Sequence, residues 1–226
     1  MRVLLAQINP TVGDIAGNTD KIVSCIASAK KSGCSLVVFP EMCLSGYPPE
    51  DLLLLPHFIE AIDHALTTVI RATQGIAAVV GTVRRHPDRK EKSLYNTAAV
   101  LENGALLGFQ DKALLPTYDV FDERRFFQPS TGTQLWTIAG KHIGITICED
   151  IWEHSSLLKY ARYERDPVKE IASLHPDFVI NLSASPFSMG KFNKRLNVCA
   201  QAAKTFESPL LFCNQVGGND SLIFDG

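Results

Sequence analysis

"KHIGITICEDIW", residues 141–152, decides how this chain is read. Gly144, Ile145, Thr146 and Ile147 form an apolar run that reads as a buried strand. Cys148, Glu149, Asp150 and Trp152 then follow with no turn residue between. A thiol and two carboxylates therefore stand where a buried strand runs out. In open α/β sheets that end of a strand is where ligands bind.

Working outward, other apolar runs repeat the pattern. "SLVVFPE" (35–41) is continuously apolar up to Pro40-Glu41, the signature of a strand covered on both faces. Residues 3–8, 76–83, 141–148 and 177–185 read as strands, as do "PLLFCNQV" and "SLIFDG" near the end of the chain. Between them, Ile22, Val23, Ile26 and Ala29 recur at helical spacing over 18–31, with Gly33 placed to stop the helix. Ile59, Ile62, Leu66, Val69 and Ile70 mark a second helix closed by Gly75, and 191–206 a further one. Residues 155–175 read as helical with an interruption at Pro167. "NTAAVLENGALLGFQDK" (96–112) places Asn103-Gly104 between two apolar runs, a strong hairpin signal. Strands alternating with helices, plus an inserted hairpin, define an α/β layered fold of mixed sheets with helices outside.

Composition narrows the function. With 226 residues and 46% hydrophobic content, the chain can bury a sizeable core. The net charge is −2 and the basic residues form no stripe, which argues against nucleic acid as a partner. No run approaches the roughly 18 apolar residues of a membrane span. Gln7 and Asn9 come too early for a secretory apolar region, so a soluble, cytoplasmic protein is expected. Cys25, Cys34, Cys43, Cys148, Cys199 and Cys213 form no C-x-x-C pair, so neither a structural metal nor a disulfide framework is expected. There is no linker or repeat; we read one domain that stops abruptly at Gly226.

Three ionisable residues follow apolar strands: Glu41, Lys112 and Cys148. If those strands lie side by side and run the same way, the three side chains meet at one edge. A thiol needs a nearby base or cation to act as a nucleophile. Glu41 can take its proton, and Lys112 can stabilise first the thiolate and then an oxyanion. The plain alternatives are a packing cysteine and a solvated rim pair worth little. "Gly217-Gly218" lacks the G-x-x-x-x-G-K-[ST] pattern of a phosphate loop and reads as a tight turn.

Five stretches in order, "VVFPEMCLSGYPPEDLL", "DKALLPTYDVFDERRFF", "GITICEDIW", "NLSASPFSMGK" and "NQVGGNDSLIFDG", together resemble the nitrilase superfamily of carbon–nitrogen hydrolases. Within it, "SGYPPEDLL", "CEDIW" and "NQVGGND" are most similar to the glutamine-hydrolysing domains of glutamine-dependent NAD(+) synthetases. The resemblance implies a four-layer α-β-β-α sandwich whose C-terminal part is missing here. It implies Cys148 as nucleophile, Glu41 as general base, Lys112 as the oxyanion-side lysine, and Glu123 as a supporting glutamate. The Glu149 backbone N–H would complete the oxyanion hole. Tyr47, Tyr118, Glu149, Trp152, Ser185 and Lys191 fall at positions similar to the glutamine-binding set. Position 191 carries lysine where such motifs more often have arginine, which keeps the charge but loses the bidentate fork.

The resemblance further implies glutamine as substrate and no cofactor for this half. ATP and Mg would belong to a C-terminal synthetase domain, and the whole would be a homo-oligomer. The Ser-Gly-Gly-x-Asp-Ser loop of a synthetase domain is absent from this sequence. A free-standing amidase acting on another small amide, and a catalytically silent assembly module, remain open beside the glutaminase reading. Asp150 is assigned only a structural hydrogen-bonding role.

Overall fold

The computed structural model describes residues 1–86, 94–152 and 163–226. Its first sheet has the order β1-β2-β3-β4-β5: Val3–Leu5, Leu36–Val38, Ala77–Arg85, Leu94–Glu102 and Ala105–Asp111. β1, β2 and β3 pair in parallel, and β4 and β5 are added antiparallel. The second sheet comprises β6 (Leu135–Ile138), β7 (Lys141–Ile147), β8 (Phe178–Ser183) and β9 (Leu210–Asn214), in that order. Only its β6–β7 pairing is antiparallel. A separate hairpin of β10 (Val216–Asn219) and β11 (Leu222–Asp225) follows.

Alternation along the strands explains the layering. Leu36, Val38, Ala77, Val79, Ala98 and Val100 face Ile143, Ile145, Ile147, Ile180 and Leu182 of the second sheet. The intervening Val37, Ala78, Val80 and Ala99 face outward, onto Ile22 and Ile26 of α1 (Ile15–Lys31) and Ala65, Leu66 and Val69 of α2 (Pro56–Ala72). Behind the second sheet, Val179 packs with Val168 and Ile171 of α3 (Pro167–Ala172) and with Val198, Ala202 and Phe206 of α4 (Lys191–Phe206). Two sheets face each other with helices on both outer sides. Each fully buried aliphatic side chain in these layers contributes about 1.5–3 kcal/mol.

Most of the expected elements are found, with shifted ends. Asp14 accepts from the Gly17 N–H at 2.9 Å, so α1 begins earlier than the apolar spacing indicates. Asn103 and Gly104 adopt φ of 51° and 77° and close the β4–β5 hairpin. Pro167 opens a helix rather than interrupting one: it occupies the first turn of α3, capped by Asp166. The earlier part of the expected 155–175 helix lies mostly outside the described residues. β6 is a strand the sequence reading passed over.

Two expectations are corrected. Gly217 and Gly218 lie within β10, and the hairpin turns at Asp220-Ser221. A side chain at Gly217 would strike Asn9, 2.1 Å away, so glycine there permits close approach. Secondly, the strands that deliver Glu41, Lys112 and Cys148 are not neighbours. β2 and β5 are separated by β3 and β4, and β7 belongs to the other sheet. The residues converge across the sandwich, not along one sheet edge.

Candidate active site

Glu41 follows β2 in a tight bend against β3. Gly81 makes this approach possible, because a side chain there would lie 2.1 Å from the Pro40 carbonyl oxygen. Lys112 directly follows β5, where its N–H donates to the Asn96 carbonyl at 2.9 Å. Cys148 ends β7 and opens a short 3-10 turn, Cys148–Ile151, with φ of 43°. Positive φ is uncommon for a residue with a side chain and recurs at functional sites.

Glu41 is 0% exposed and Lys112 is 1% exposed, which excludes a solvated rim pair. The Lys112 Nζ lies 2.7 Å from Glu41 Oε1 and 2.7 Å from Glu123 Oε1. Asn96 Nδ2 donates to the same Glu41 oxygen at 2.6 Å and to Glu123 Oε2 at 3.3 Å. The Ala184 N–H donates to Glu41 Oε2 at 3.0 Å. The Tyr47 hydroxyl donates to Glu123 Oε1 at 2.9 Å. Two carboxylates are thus held on one ammonium in a buried site.

Electrostatics follow from this packing. Burial alone would lower the Lys112 pKa, but Glu123 and Glu41 override it and hold it well above the ordinary value. Burial, with Glu41 adding to it, pushes Glu123 up to about 7 against the pull of Lys112. The Cys148 thiol is pushed far up by burial and then by the Glu41 carboxylate, while Lys112 works in the opposite direction. A thiol shifted in that direction becomes a nucleophile only when a base removes its proton.

Around Cys148 the remaining expected residues divide into groups. The Tyr118 hydroxyl lies 2.8 and 2.9 Å from the two Glu149 carboxylate oxygens. Tyr163 adds a third bond to Glu149 at 3.2 Å. Lys191, at the start of α4, places its Nζ 5.7 Å from the Trp152 ring centroid, a cation–π distance. Burial lowers the Lys191 pKa, while Cys148 and Glu149 pull it upward. Ser185 is fixed through its backbone: its N–H donates to Asn214 Oδ1 at 2.8 Å, and its carbonyl accepts from Arg195 at 3.2 Å. Arg195 also pairs with Asp225 at 2.9 Å, so the arginine one turn after Lys191 is committed to structure.

Asn96, Tyr163, Asn214 and Arg195 were missed from sequence. Asn96 and Asn214 left a signal, as amides within the mostly apolar strands β4 and β9. The other cysteines have packing environments. Cys43 contacts the Gly81 carbonyl at 3.3 Å and Cys213 the Val38 carbonyl at 3.4 Å, and Cys25, Cys34 and Cys199 pack against the helix–sheet cores. No disulfide joins any of the six. Among the described residues, no helix is long and apolar enough to cross a membrane.

A buried Glu–Lys–Cys set between two facing sheets is the arrangement expected of a carbon–nitrogen hydrolase, and that family's profile matches residues 2–226. The chain belongs to the carbon–nitrogen hydrolase family. It is 42% identical over 99% of its length to a glutamine-dependent NAD(+) synthetase of Synechocystis sp., of which it covers 41%. It is 38% identical over its whole length to the synthetase of Thermotoga maritima, covering 37% of it. The solved glutamine-dependent NAD+ synthetase of Acinetobacter baumannii, in complex with ADP, superposes with a TM-score of 0.88 at 38% identity, over 99% of this chain and 40% of that one. An amidase of the nitrilase superfamily from Nesterenkonia shares the fold, with a TM-score of 0.82 at 22% identity over 100% of this chain and 80% of that one. The chain therefore spans about 40% of the length of its synthetase relatives.

Proposed function

We propose that this domain hydrolyses the side-chain amide of glutamine to glutamate and ammonia. The observation that carries the reading is the buried Glu41–Lys112–Glu123 network beside a buried Cys148. Glu41 takes the Sγ proton as the sulfur attacks the amide carbon. Of the three N–H donors of the Lys112 ammonium, two are committed to Glu41 and Glu123, which leaves the third for the oxyanion. The Glu149 N–H, second in the 3-10 turn, belongs to the N–H groups that have no partner within the turn, and supplies a second donor. The carbon–nitrogen bond then breaks, the proton on Glu41 passes to the nitrogen, and ammonia leaves a glutamyl thioester. Water attacks the thioester, giving its proton to Glu41. The carbon–sulfur bond breaks, and that proton returns to the sulfur.

Glutamine, rather than any small amide, is favoured by the charges around the thiol. Glu149, held by Tyr118, would receive the α-ammonium, and Lys191 with Ser185 the α-carboxylate. Tyr47, Tyr118 and Trp152 would form the pocket walls. The likeness to glutamine-dependent synthetases supports the same substrate. By that likeness, the ammonia would pass to an ATP- and Mg-using synthetase domain that amidates deamido-NAD(+), in a cytoplasmic homo-oligomer, with this domain, residues 1–226, requiring no cofactor of its own. The likeness to an amidase is one of fold, so a small-amide hydrolase is the second reading. Steady-state kinetics on glutamine and on a neutral aliphatic amide decides between them. A kcat/KM at least tenfold higher for glutamine supports the first reading, and preference for the neutral amide overturns it.

A further inference from the structure

Asp150 lies next to the site, and its carboxylate accepts only backbone bonds among the described residues. Oδ1 accepts from the N–H of Ala113 at 3.0 Å and of Leu114 at 2.8 Å, the two residues directly after Lys112. Oδ2 accepts from the N–H of Ile147 at 2.9 Å, the residue directly before Cys148. The side chain is buried, as are Ala113, Leu114 and Ile147. One carboxylate thus joins the segment leaving β5, in the first sheet, to the end of β7, in the second.

We propose that Asp150 is a positioning residue that fixes the Lys112 ammonium relative to the Cys148 thiol. The two residues reach the site from different sheets, so no strand ladder sets their separation. The lysine backbone is anchored on its own side, by its N–H to the Asn96 carbonyl at 2.9 Å and by its carbonyl to the Ser130 N–H at 2.8 Å. Neither bond reaches the nucleophile's segment. Asp150 holds the lysine segment at two points, the Ala113 and Leu114 N–H groups, and with a third bond, from the Ile147 N–H, grips the backbone just before the positive φ of Cys148. A conformation of that kind persists only where its surroundings fix it. An ionised carboxylate is required, because all three partners are donors. An amide of the same shape turns an NH2 group toward one segment or the other, whichever way it is flipped.

The proposal rests on Lys112 and Cys148 acting on the same carbonyl, and its test separates the two ideas. In the full chain, Asp150→Asn should lower kcat for glutamine hydrolysis by about tenfold to a hundredfold, the equivalent of one charge-assisted hydrogen bond. KM should change less than about threefold, because the groups assigned to the α-amino and α-carboxylate are untouched. Introduced into Lys112→Met, the same change should lower the residual kcat by less than about threefold, because the lysine it positions is gone. Iodoacetamide labelling of Cys148, followed without glutamine, should also slow in Asp150→Asn. If the wild type releases no ammonia from glutamine, the substrate reading fails and the labelling rate still judges Asp150. Asp150→Ser replaces Asp150→Asn, on the same criteria, should the latter not fold. Unchanged kcat and labelling, or equal losses with and without Lys112, overturns the positioning role.

Discussion

The Lys112 ammonium lies 2.7 Å from a Glu41 carboxylate oxygen, and neither side chain is more than 1% exposed. A buried pair of this kind is poor evidence for stability, because removing two charges from water costs about what their attraction returns. Its persistence beside a thiol points to chemistry. Glu123 makes the imbalance sharper, since two carboxylates share one cation.

Lys112→Met should therefore do two separable things. Loss of the proposed oxyanion donor should reduce glutamine turnover by about a hundredfold or more. Leaving two buried carboxylates without their cation should destabilise the fold by about 3–5 kcal/mol at neutral pH. Single-turnover kinetics and denaturant unfolding measure the two effects. A folded variant with near-native turnover would show that the lysine takes no part in the reaction.

Glu41→Gln should separate thiol acidity from catalysis. The Glu41 carboxylate helps to hold the Cys148 pKa up, so its neutralisation should let the thiolate form at lower pH. Turnover should nevertheless fall by about 10²–10⁴-fold, because the proposed general base is gone. Ultraviolet titration of the thiolate, compared with the Cys148→Ala background, gives the first quantity and ammonia release the second. Cys148→Ala should abolish ammonia release from glutamine.

Glu123 supplies a test in pH. Burial raises its folded pKa to about 7, above the roughly 4.3 of a free glutamate. Between those values the folded state binds more protons than the unfolded one, so this group makes stability fall as pH rises. The favourable contribution is complete below about pH 4.3 and is lost as pH passes through 7. Glu123→Gln should remove that slope, so the variant gains on the wild type in stability at pH 8 relative to pH 5. Its turnover should decline, because the amide cannot hold Lys112 and Tyr47 as the carboxylate does. Thermal unfolding across that range is the measurement, and a parallel pH dependence in both proteins counts against the assignment.

Lys191→Ala should impair kcat/KM for glutamine far more than for a neutral aliphatic amide. A site built to pair a substrate charge rejects analogues lacking it, because its own group is then left unpaired. The cation–π contact with Trp152 makes part of any loss structural, and that part falls equally on both substrates. An equal loss on the two amides would remove the carboxylate-binding role and leave the nucleophile assignment untouched.

Local signals in the sequence determined the elements and some of the chemistry. Asn103-Gly104 specifies its hairpin because both residues tolerate positive φ, and the helix read over 191–206 is α4 as found. Apolar runs ending in Glu41 and Cys148 indicated buried strands that open onto a site. The ordered motifs carried the family. Tertiary structure alone decided which strands are neighbours: a doubly covered apolar run is satisfied by any sheet that buries both its faces, so nothing local placed β7 opposite β2 and β5. It alone also decided the partners of Glu123, Asn96 and Asp150. Apart from the local bond of Asp150 to Ile147, their hydrogen bonds go to residues farther along the chain, and such a bond leaves no periodicity to read. Its geometry exists only after two sheets have packed face to face and excluded the water that would otherwise satisfy those groups.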